Sequence, residues 1–318
     1  EIFVPKLKVA DNTVFSGFVL RARAIDFDPL ALRFKQYVFF TDIFRSEMVK
    51  KSSMTTRALT SGTAIKQMLF TFPKDKNEQT KIGNYFQQLD KLIEQKEKKY
   101  QKLKQFKKAM LDKMFPKNGA DTPEIRFKGF NGKWEKKMIN DLGDIVTGST
   151  PNTQDKSNYG GNYLFVSPAD IQNNRYVKTT ITTLSIKGHN LGRVLHENSI
   201  LFVSIGSTIG KVAQIKNKAT TNQQINAINP NKYNDSNFIY SMLVNKSQKI
   251  KKLASAQAVP IINKTSFSEI EVIVPNDLEE QEKIGNYFQK LDIQIDLQLQ
   301  EIEKLKNIKK ASLAKMFV

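Results

Sequence analysis

Hydroxyl, amide and lysine side chains are concentrated in three short segments of the second half of the sequence. They are Gly148–Pro151 (GSTP), Gly206–Lys211 (GSTIGK) and Thr220–Asn226 (TTNQQIN). GSTIGK is the segment nearest to a phosphate-binding loop, but three residues separate its glycines where such a loop has four, and Val212 stands where Ser or Thr would bind magnesium. Nucleotide binding is therefore not predicted. The amides of TTNQQIN are of the type that pairs with adenine in a DNA major groove.

Residues that could perform covalent or metal chemistry are few. His189 and His196 are the only histidines, the chain has no cysteine, and no carboxylate pair accompanies the histidines at ligand spacing. No Gly-x-Ser-x-Gly segment or Ser/His/Asp pattern stands out. The sequence therefore predicts a binding protein with no catalytic, cofactor or metal site of its own.

The charge of the chain indicates what it binds. Lys and Arg number 50 against 31 Asp and Glu, which gives a formal net charge of +19. A basic surface of this size predicts a polyanionic partner. Nucleic acid is favoured over a membrane, because the sequence has no apolar run of about 18 residues and no signal-peptide pattern. The lack of cysteine is typical of a reducing cytoplasm.

These segments must be positioned by the rest of the chain, which contains a long internal repeat. The repeat consists of two segments, which align without a gap at a constant offset of 202 residues. They are Glu78–Phe115 (EQTKIGNYFQQLDKLIEQKEKKYQKLKQFKKAMLDKMF) and Glu280–Phe317 (EQEKIGNYFQKLDIQIDLQLQEIEKLKNIKKASLAKMF). Roughly 22 of about 38 positions are identical, and such a repeat determines the architecture.

Both copies have the pattern of a coiled-coil helix. Apolar residues recur at alternating steps of three and four, and no proline interrupts either copy. The second stripe contains Ile284, Phe288, Leu291, Ile295, Leu299, Ile302, Leu305, Ile308 and Met316, and the first contains Phe86, Leu89, Ile93, Tyr100, Leu103, Phe106, Met110 and Met114. A helix about 55 Å long needs a partner for its stripe. We expect the two copies to pair with each other in antiparallel sense.

The segments between the helices are predicted to be globular. We expect a helix at Leu30–Glu47 and a strand at Met68–Phe72 in the first segment, matched by a helix at Asn237–Leu253 and a strand at Ile270–Val274 in the second. The predicted boundaries are 1–77 and 124–279 for the globular segments, 78–115 and 280–318 for the helices, and 116–123 for a linker. At the repeat offset Glu1 aligns with Val203, so the first globular segment is interpreted as the C-terminal half of a domain. Its N-terminal half would be missing because the chain is a fragment, or would have been lost, or would be supplied by another chain.

The whole chain resembles the specificity subunits of Type I restriction-modification systems. The resemblance is most specific in EQEKIGNYFQKLD running into LKNIKKASLAKMF, in its earlier twin, and in RFKGFNGKWEKKMINDLGDIVTGSTP. It implies an α+β protein in which two target-recognition domains, the second complete and the first partial, are separated by two helices that form an antiparallel coiled coil. Each domain would read one half of a bipartite site in double-stranded DNA, and the helices would set the distance between the halves.

The resemblance also implies partners. The family's specificity subunit has no catalytic residues, so no cofactor is expected here. Two modification subunits would methylate adenine with S-adenosylmethionine, and a restriction subunit would add ATP-driven cleavage, in the cytoplasm and with no membrane contact.

Thirteen residues on loops are candidates for DNA contact. They are Ser149, Thr150, Ser204, Ser207, Thr208, Lys211, Asn222, Gln223, Gln224 and Gln257 in the second domain, and Thr55, Thr56 and Arg57 at the equivalent position of the first. Two other functions remain open at this point. A DNA-cleaving or methylating enzyme would need a catalytic motif, whereas a coiled-coil scaffold or another kind of bipartite DNA-binding protein would share the helices.

Overall fold

The computed structural model describes residues 19–20, 24–54, 58–117, 119–172, 174–254 and 260–317. They divide into two compact units, one containing the residues up to Tyr100 and those from Gln298 onward, the other containing Gln101–Leu297. The helices are α1 (Leu32–Val38), α2 (Asp42–Lys50), α3 (Gly62–Lys66), α4 (Lys76–Met114), α5 (Ile186–Leu191), α6 (Ser236–Leu253), α7 (Lys264–Ser268) and α8 (Leu278–Met316).

The two long helices, α4 and α8, begin and end at equivalent positions of the repeat and two residues earlier than predicted at their N-termini. Each has 39 residues and follows an aspartate that caps its first turn. The Asp75 carboxylate accepts a hydrogen bond from the backbone N–H of Asn77 at 2.8 Å, and Asp277 accepts one from Glu279 at the same distance. Side-chain acceptors at this position satisfy N–H groups that have no partner within the helix.

In the first unit, the N-terminal part of α4 packs on the C-terminal part of α8. The rings of Phe86 and Phe317 are 5.7 Å apart, and Nζ of Lys96 lies 2.6 Å from Oε2 of Glu301. Residue numbers therefore rise along one helix as they fall along the other. The helices are antiparallel in this unit.

In the second unit, the C-terminal part of α4 packs on the N-terminal part of α8. The rings of Phe115 and Phe288 are 5.9 Å apart, which repeats the phenylalanine pair of the first unit at the same offset. Lys107 on α4 also forms an ion pair with Asp292 on α8. The predicted antiparallel pairing is thus confirmed in each unit.

The predicted apolar stripe is only partly correct. Phe86, Phe288 and Ile302 are buried in their units, but Phe106 is 49% exposed and Ile308, its equivalent in the repeat, is 38% exposed. A helix with 3.6 residues per turn drifts away from a stripe that repeats every 3.5 residues, so these two positions leave the contact face.

The rest of the first unit differs from the sequence prediction in two places. The single helix predicted at Leu30–Glu47 is two helices, α1 and α2, because the Thr41 hydroxyl caps α2 by accepting a hydrogen bond from Phe44 N at 3.3 Å. Residues 68–72 are not a strand, since no described residue of this unit pairs with them. The described strands of this unit are β1 (Ser53–Met54) and β2 (Ala58–Leu59). The segment VFSGFVLRARA (residues 14–24) also alternates apolar and polar residues as a strand does, but it lies mostly outside the described residues.

The second unit contains the longer sheets. Its strands are β3 (Glu135–Met138), β4 (Gly143–Thr147), β5 (Tyr159–Val166), β6 (Thr182–Leu184), β7 (Ile200–Val203), β8 (Val212–Gln214), β9 (Thr220–Thr221), β10 (Ile225–Pro230) and β11 (Glu271–Val274). The four-stranded sheet has the order β4-β10-β7-β8, and each neighbouring pair in it is antiparallel. The helix predicted at Asn237–Leu253 is present as α6, and the predicted strand near Ile270–Val274 is β11.

Each long helix holds the start of a shorter helix through an equivalent glutamine. In the first unit Gln79 accepts from Ala31 N at 2.6 Å and donates to Pro73 O at 2.8 Å. In the second unit Gln281 accepts from Asp235 N at 3.0 Å and donates to Pro275 O at 2.9 Å. The repeat therefore includes the junction between helix and globular part, and α1 corresponds to α6.

Candidate nucleic-acid interface

Strand ends from the four-stranded sheet of the second unit meet at one edge. β4 ends at Thr147, β7 ends at Val203, β8 begins at Val212 and β10 begins at Ile225. Because every neighbouring pair is antiparallel, these four ends lie on the same side of the sheet. The segments that extend from them, residues 148–150, 204–211 and 221–224, are called the polar edge below.

The turn after β4 is packed closely onto the segment before β10. Ser149 N donates to Thr221 O at 2.9 Å, and the Thr150 hydroxyl donates to Oε1 of Gln223 at 2.7 Å. Gly148 allows this approach, since a Cβ at this position would lie 2.2 Å from the Asn222 carbonyl oxygen. Two segments far apart in sequence are thereby held side by side.

The GSTIGK segment is a turn that joins two strands. Gly210 N donates to Val203 O at 2.9 Å, Ile209 N donates to Gly206 O at 3.1 Å, and β8 follows directly. Gly206 and Gly210 have φ values of 92° and 93°, which favour glycine. A phosphate-binding loop leads instead into a helix, so this segment does not have the geometry of such a loop.

The exposure of the predicted residues varies along the polar edge. Three of them are exposed: Thr150, Ser207 and Gln223. Five others are partly buried: Ser149, Thr208, Lys211, Asn222 and Gln224. Asn222 Nδ2 donates to Oε1 of Gln224 at 3.0 Å, and Nζ of Lys211 donates to Ile171 O at 2.8 Å. The structure therefore brings together eight of the predicted residues with their side chains in or near solvent.

Ser204 does not fit the prediction. Its side chain is buried, and its hydroxyl accepts from Nδ2 of Asn226 at 2.9 Å and lies 3.3 Å from the Phe202 carbonyl oxygen. This hydroxyl satisfies a buried amide, so we remove Ser204 from the candidate interface.

Four of the predicted residues, Thr55, Thr56, Arg57 and Gln257, lie outside the described residues. The described residues next to Gln257 do contact the polar edge. Pro260 O accepts from Gly206 N at 3.0 Å, and Ile262 N donates to Ser204 O at 2.9 Å.

Sequence reasoning missed one cation at the polar edge. Arg193 is exposed, and its Nη1 donates to the Thr147 carbonyl oxygen at 2.7 Å, where β4 ends. The two residues are 46 positions apart, and no local pattern marks Arg193. Only the fold places this guanidinium beside Thr147, at the end of β4.

The two histidines do not form a site together. His189 is buried and its ring stacks on Tyr163 with centroids 4.5 Å apart, whereas His196 is exposed. Burial, together with the charge of Lys218, lowers the pKa of His189. Within the described part of the chain, no group of three or more His, Asp or Glu residues could hold a metal ion. The same residues include no helix that is long and apolar enough to cross a membrane.

Comparison with known proteins identifies the family. The family model described as "Type I restriction modification DNA specificity domain" matches residues 131–307, more than half of the chain. The chain belongs to this family.

Curated relatives from this family are identical to the chain at about a third of the positions within the matched segments. The Type I restriction enzyme HindI specificity subunit of Haemophilus influenzae is 34% identical over 148 residues, which are 45% of this chain and 32% of the relative. The MjaIX specificity subunit of Methanocaldococcus jannaschii is 31% identical over 182 residues, 55% of this chain and 41% of the relative. The matches thus span less than half the length of either relative.

Solved structures of the family confirm the fold. The S subunit of a Type I restriction-modification system from M. genitalium has a TM-score of 0.67 at 18% identity, covering 91% of this chain and 73% of that one. The HsdS subunit from Thermoanaerobacter tengcongensis has a TM-score of 0.51 at 18% identity, covering 90% and 70%. A match of this extent includes residues from both units, so the predicted α+β architecture with two long helices is confirmed.

Proposed function

We propose that the chain reads DNA sequence as the specificity subunit of a Type I restriction-modification system, and that the polar edge of the second unit contacts one half of the target site. The observation that carries this proposal is the convergence of three polar segments at one edge of a rigid sheet. Thr150, Ser207 and Gln223 lie there with exposed side chains that can both donate and accept hydrogen bonds.

Hydroxyl and amide groups are suited to reading base edges. A glutamine amide can donate to N7 of adenine and accept from its N6 amino group, and hydroxyls can bond to several bases. Strand ends supply the positional accuracy that such readout needs, because the backbone beneath them is hydrogen-bonded to its neighbours.

Basic residues supply the sequence-independent part of the proposed interaction. The net charge of +19 favours contact with phosphates, and Arg193 and Lys211 bring charge to the polar edge itself. Phosphate contacts orient a protein on the duplex, and contacts to bases then select the sequence.

The remaining roles belong to partners in this proposal. The chain would bind two modification subunits, which would use S-adenosylmethionine, and a restriction subunit that uses ATP, while it contributes no catalytic group and needs no cofactor. We propose that it works in the cytoplasm. The domain boundaries at residues 77, 115, 123 and 279 are proposed to separate recognition domains from helices.

The test is a selection from random duplex DNA by the chain assembled with its modification partner. Sequencing of the bound DNA is expected to show a motif in two parts separated by unselected positions. Replacing Gln223 with Ala should weaken selection at positions of one part and leave the other part unchanged. Enrichment without any motif would contradict sequence reading and favour a scaffold, and methylation by the chain alone would favour an enzyme.

A further inference from the structure

Arg175 is a buried cation of the second unit whose guanidinium contacts three different elements. Its side chain is 2% exposed. Nε donates to Oε1 of Gln214 in β8 at 2.9 Å, and Nη2 donates to Oδ1 of Asn237 in α6 at 2.7 Å. Nη1 donates to Oδ2 of Asp292 in α8 at 3.2 Å. One side chain therefore joins the edge strand of the sheet, a short helix and a long helix.

Arg175 and a second cation, Lys107, share the carboxylate of Asp292. The second carboxylate oxygen of Asp292 binds Nζ of Lys107 on α4, and the Tyr240 ring lies 4.2 Å below the guanidinium carbon. The Asp292 side chain is only 12% exposed. Charges removed from water are tolerated when they are paired and hydrogen-bonded, as they are here.

The residue after Arg175 adds a second polar contact on the same face of α8. The Tyr176 hydroxyl accepts from Nε2 of Gln289 at 2.6 Å, and Gln289 lies three residues before Asp292. Residues three apart share one face of a helix. An exposed ion pair, Lys178 with Asp296 at 3.2 Å, lies one turn further along.

These contacts differ in kind from the apolar packing at the same junction. Phe288 and Leu291 of α8 belong to a core cluster with Trp134 and Phe238. Apolar burial is non-directional, so it can hold two surfaces together over a range of angles. A planar guanidinium with fixed donor directions allows far fewer arrangements.

We propose that Arg175 is a positioning residue that fixes the angle between the four-stranded sheet and α8, and so sets the direction in which the polar edge faces. Gln214, which binds Arg175, lies in β8 beside β7, and the turn of the polar edge joins these two strands. The role of Arg175 in fixing this angle is independent of the function proposed above. Only the expected effect on DNA recognition rests on that function.

Distances between two spin labels test this orientation directly. The chain has no cysteine, so Asp144→Cys on β4 of the four-stranded sheet and Gln294→Cys on α8 give two unique labelling positions, both exposed. Double electron–electron resonance on the double-cysteine chain should give a narrow distance distribution. Arg175→Lys keeps a positive charge for Asp292 but cannot reproduce the fork to Gln214 and Asn237, so it should broaden that distribution.

Lys178→Ala is the matched control, because it removes a neighbouring exposed ion pair of little energetic weight and should leave the width unchanged. Circular dichroism and thermal melting establish whether each variant is folded. If Arg175→Lys does not fold, Tyr176→Phe decides, since it removes only the hydrogen bond to Gln289 and should broaden the distribution less. Distributions as narrow as that of the parent in every folded variant would overturn the proposal.

A DNA measurement separates this proposal from the proposed function. In the assembled complex, Arg175→Lys is expected to accept a wider range of distances between the two half-sites while the half-sites stay the same. An unchanged range, in a variant with a broadened distance distribution, would refute the consequence for DNA. Absence of DNA binding by the parent would contradict the proposed function and leave the spin-label result valid.

Discussion

The Thr150 hydroxyl donates a hydrogen bond to the side-chain oxygen of Gln223 at 2.7 Å across 73 residues of sequence. It joins the turn after β4 to the segment before β10 and restricts the exposed amide to one orientation. Oε1 of Gln223 retains one lone pair, and among the described residues nothing accepts a hydrogen bond from its Nε2 group. That combination complements the N6 amino group and N7 of adenine.

Replacing Gln223 with Ala is expected to relax sequence preference at one base pair with little loss of non-specific affinity. A good bidentate contact discriminates against a wrong base by about 1–3 kcal/mol, which is roughly a 5- to 150-fold effect. Thr150→Val should produce a smaller change, because the amide remains but loses its fixed orientation. Dissociation constants measured by fluorescence anisotropy on single-base variants of the selected site give the loss of discrimination for each of the two variants.

Gln105→Ala is the control for this prediction, because it removes an exposed amide from α4, away from the polar edge. Gln224→Ala should have a smaller effect than Gln223→Ala, since Oε1 of Gln224 already accepts from Asn222. An equal loss of affinity for every sequence would mean that Gln223 contacts the DNA backbone.

Arg193→Ala should lower affinity about equally for all sequences. Each phosphate contact contributes roughly one unit to the slope of log K against log salt concentration, so the slope should become shallower by about one. Lys232→Ala provides a comparison, because it removes an exposed cation at the opposite edge of the same sheet, beyond the end of β10. If Arg193→Ala leaves the slope unchanged and Lys232→Ala reduces it, the polar edge is not the surface that meets the duplex.

The sequence predicted the helices well because they depend on a pattern that recurs along the chain. The spacing of residues such as Phe86 and Phe288, repeated at a fixed offset, was sufficient to predict two helices and their pairing. The helix break at Thr41 was missed because a threonine can cap a helix or lie inside one, and its contact with Phe44 N decides which.

The candidate interface was predicted at the level of segments but not of individual side chains. Loops with hydroxyls and amides were found from composition, whereas the burial of Ser204 depends on Asn226, a residue on another strand. Arg193 and Arg175 were missed for the same reason, since their partners are tens of residues away. Sequence patterns carry information about near neighbours, and these roles are set by tertiary contacts.

Acidification should destabilise the second unit through His189. Burial lowers the pKa of this imidazole in the folded state below its usual value near 6.5, and the positive charge of Lys218 adds to the effect. As pH falls below about 6.5 the unfolded chain binds a proton first, so the free energy of unfolding decreases. The decrease should end once the pH is below the folded-state pKa. Thermal melting measured from pH 8 to pH 5 should show the falling melting temperature.

His189→Phe should remove this part of the pH dependence and retain the stacking on Tyr163. His196→Gln is the control, because it changes the other histidine, which is exposed. A pH dependence that is lost with His196→Gln and kept with His189→Phe would refute the assignment.

A charge introduced into the contact face of the long helices should disrupt their pairing more strongly the more deeply the replaced side chain is buried. Ile302 is 3% exposed, whereas Leu305, a position selected from the sequence pattern, is only partly buried. Ile302→Ala should therefore cost about 2–4 kcal/mol of unfolding free energy, and Ile302→Glu should cost more, because a buried carboxylate lacks a partner there. Leu305→Glu should be milder, because its carboxylate can reach water.

Lys304→Glu is the control, because it introduces the same group at an exposed position of the same helix and should change the melting temperature little. Hydrogen exchange on the first unit follows the pairing directly: equal protection in Ile302→Glu and Lys304→Glu would show that this face of α8 does not stabilise the helix pair.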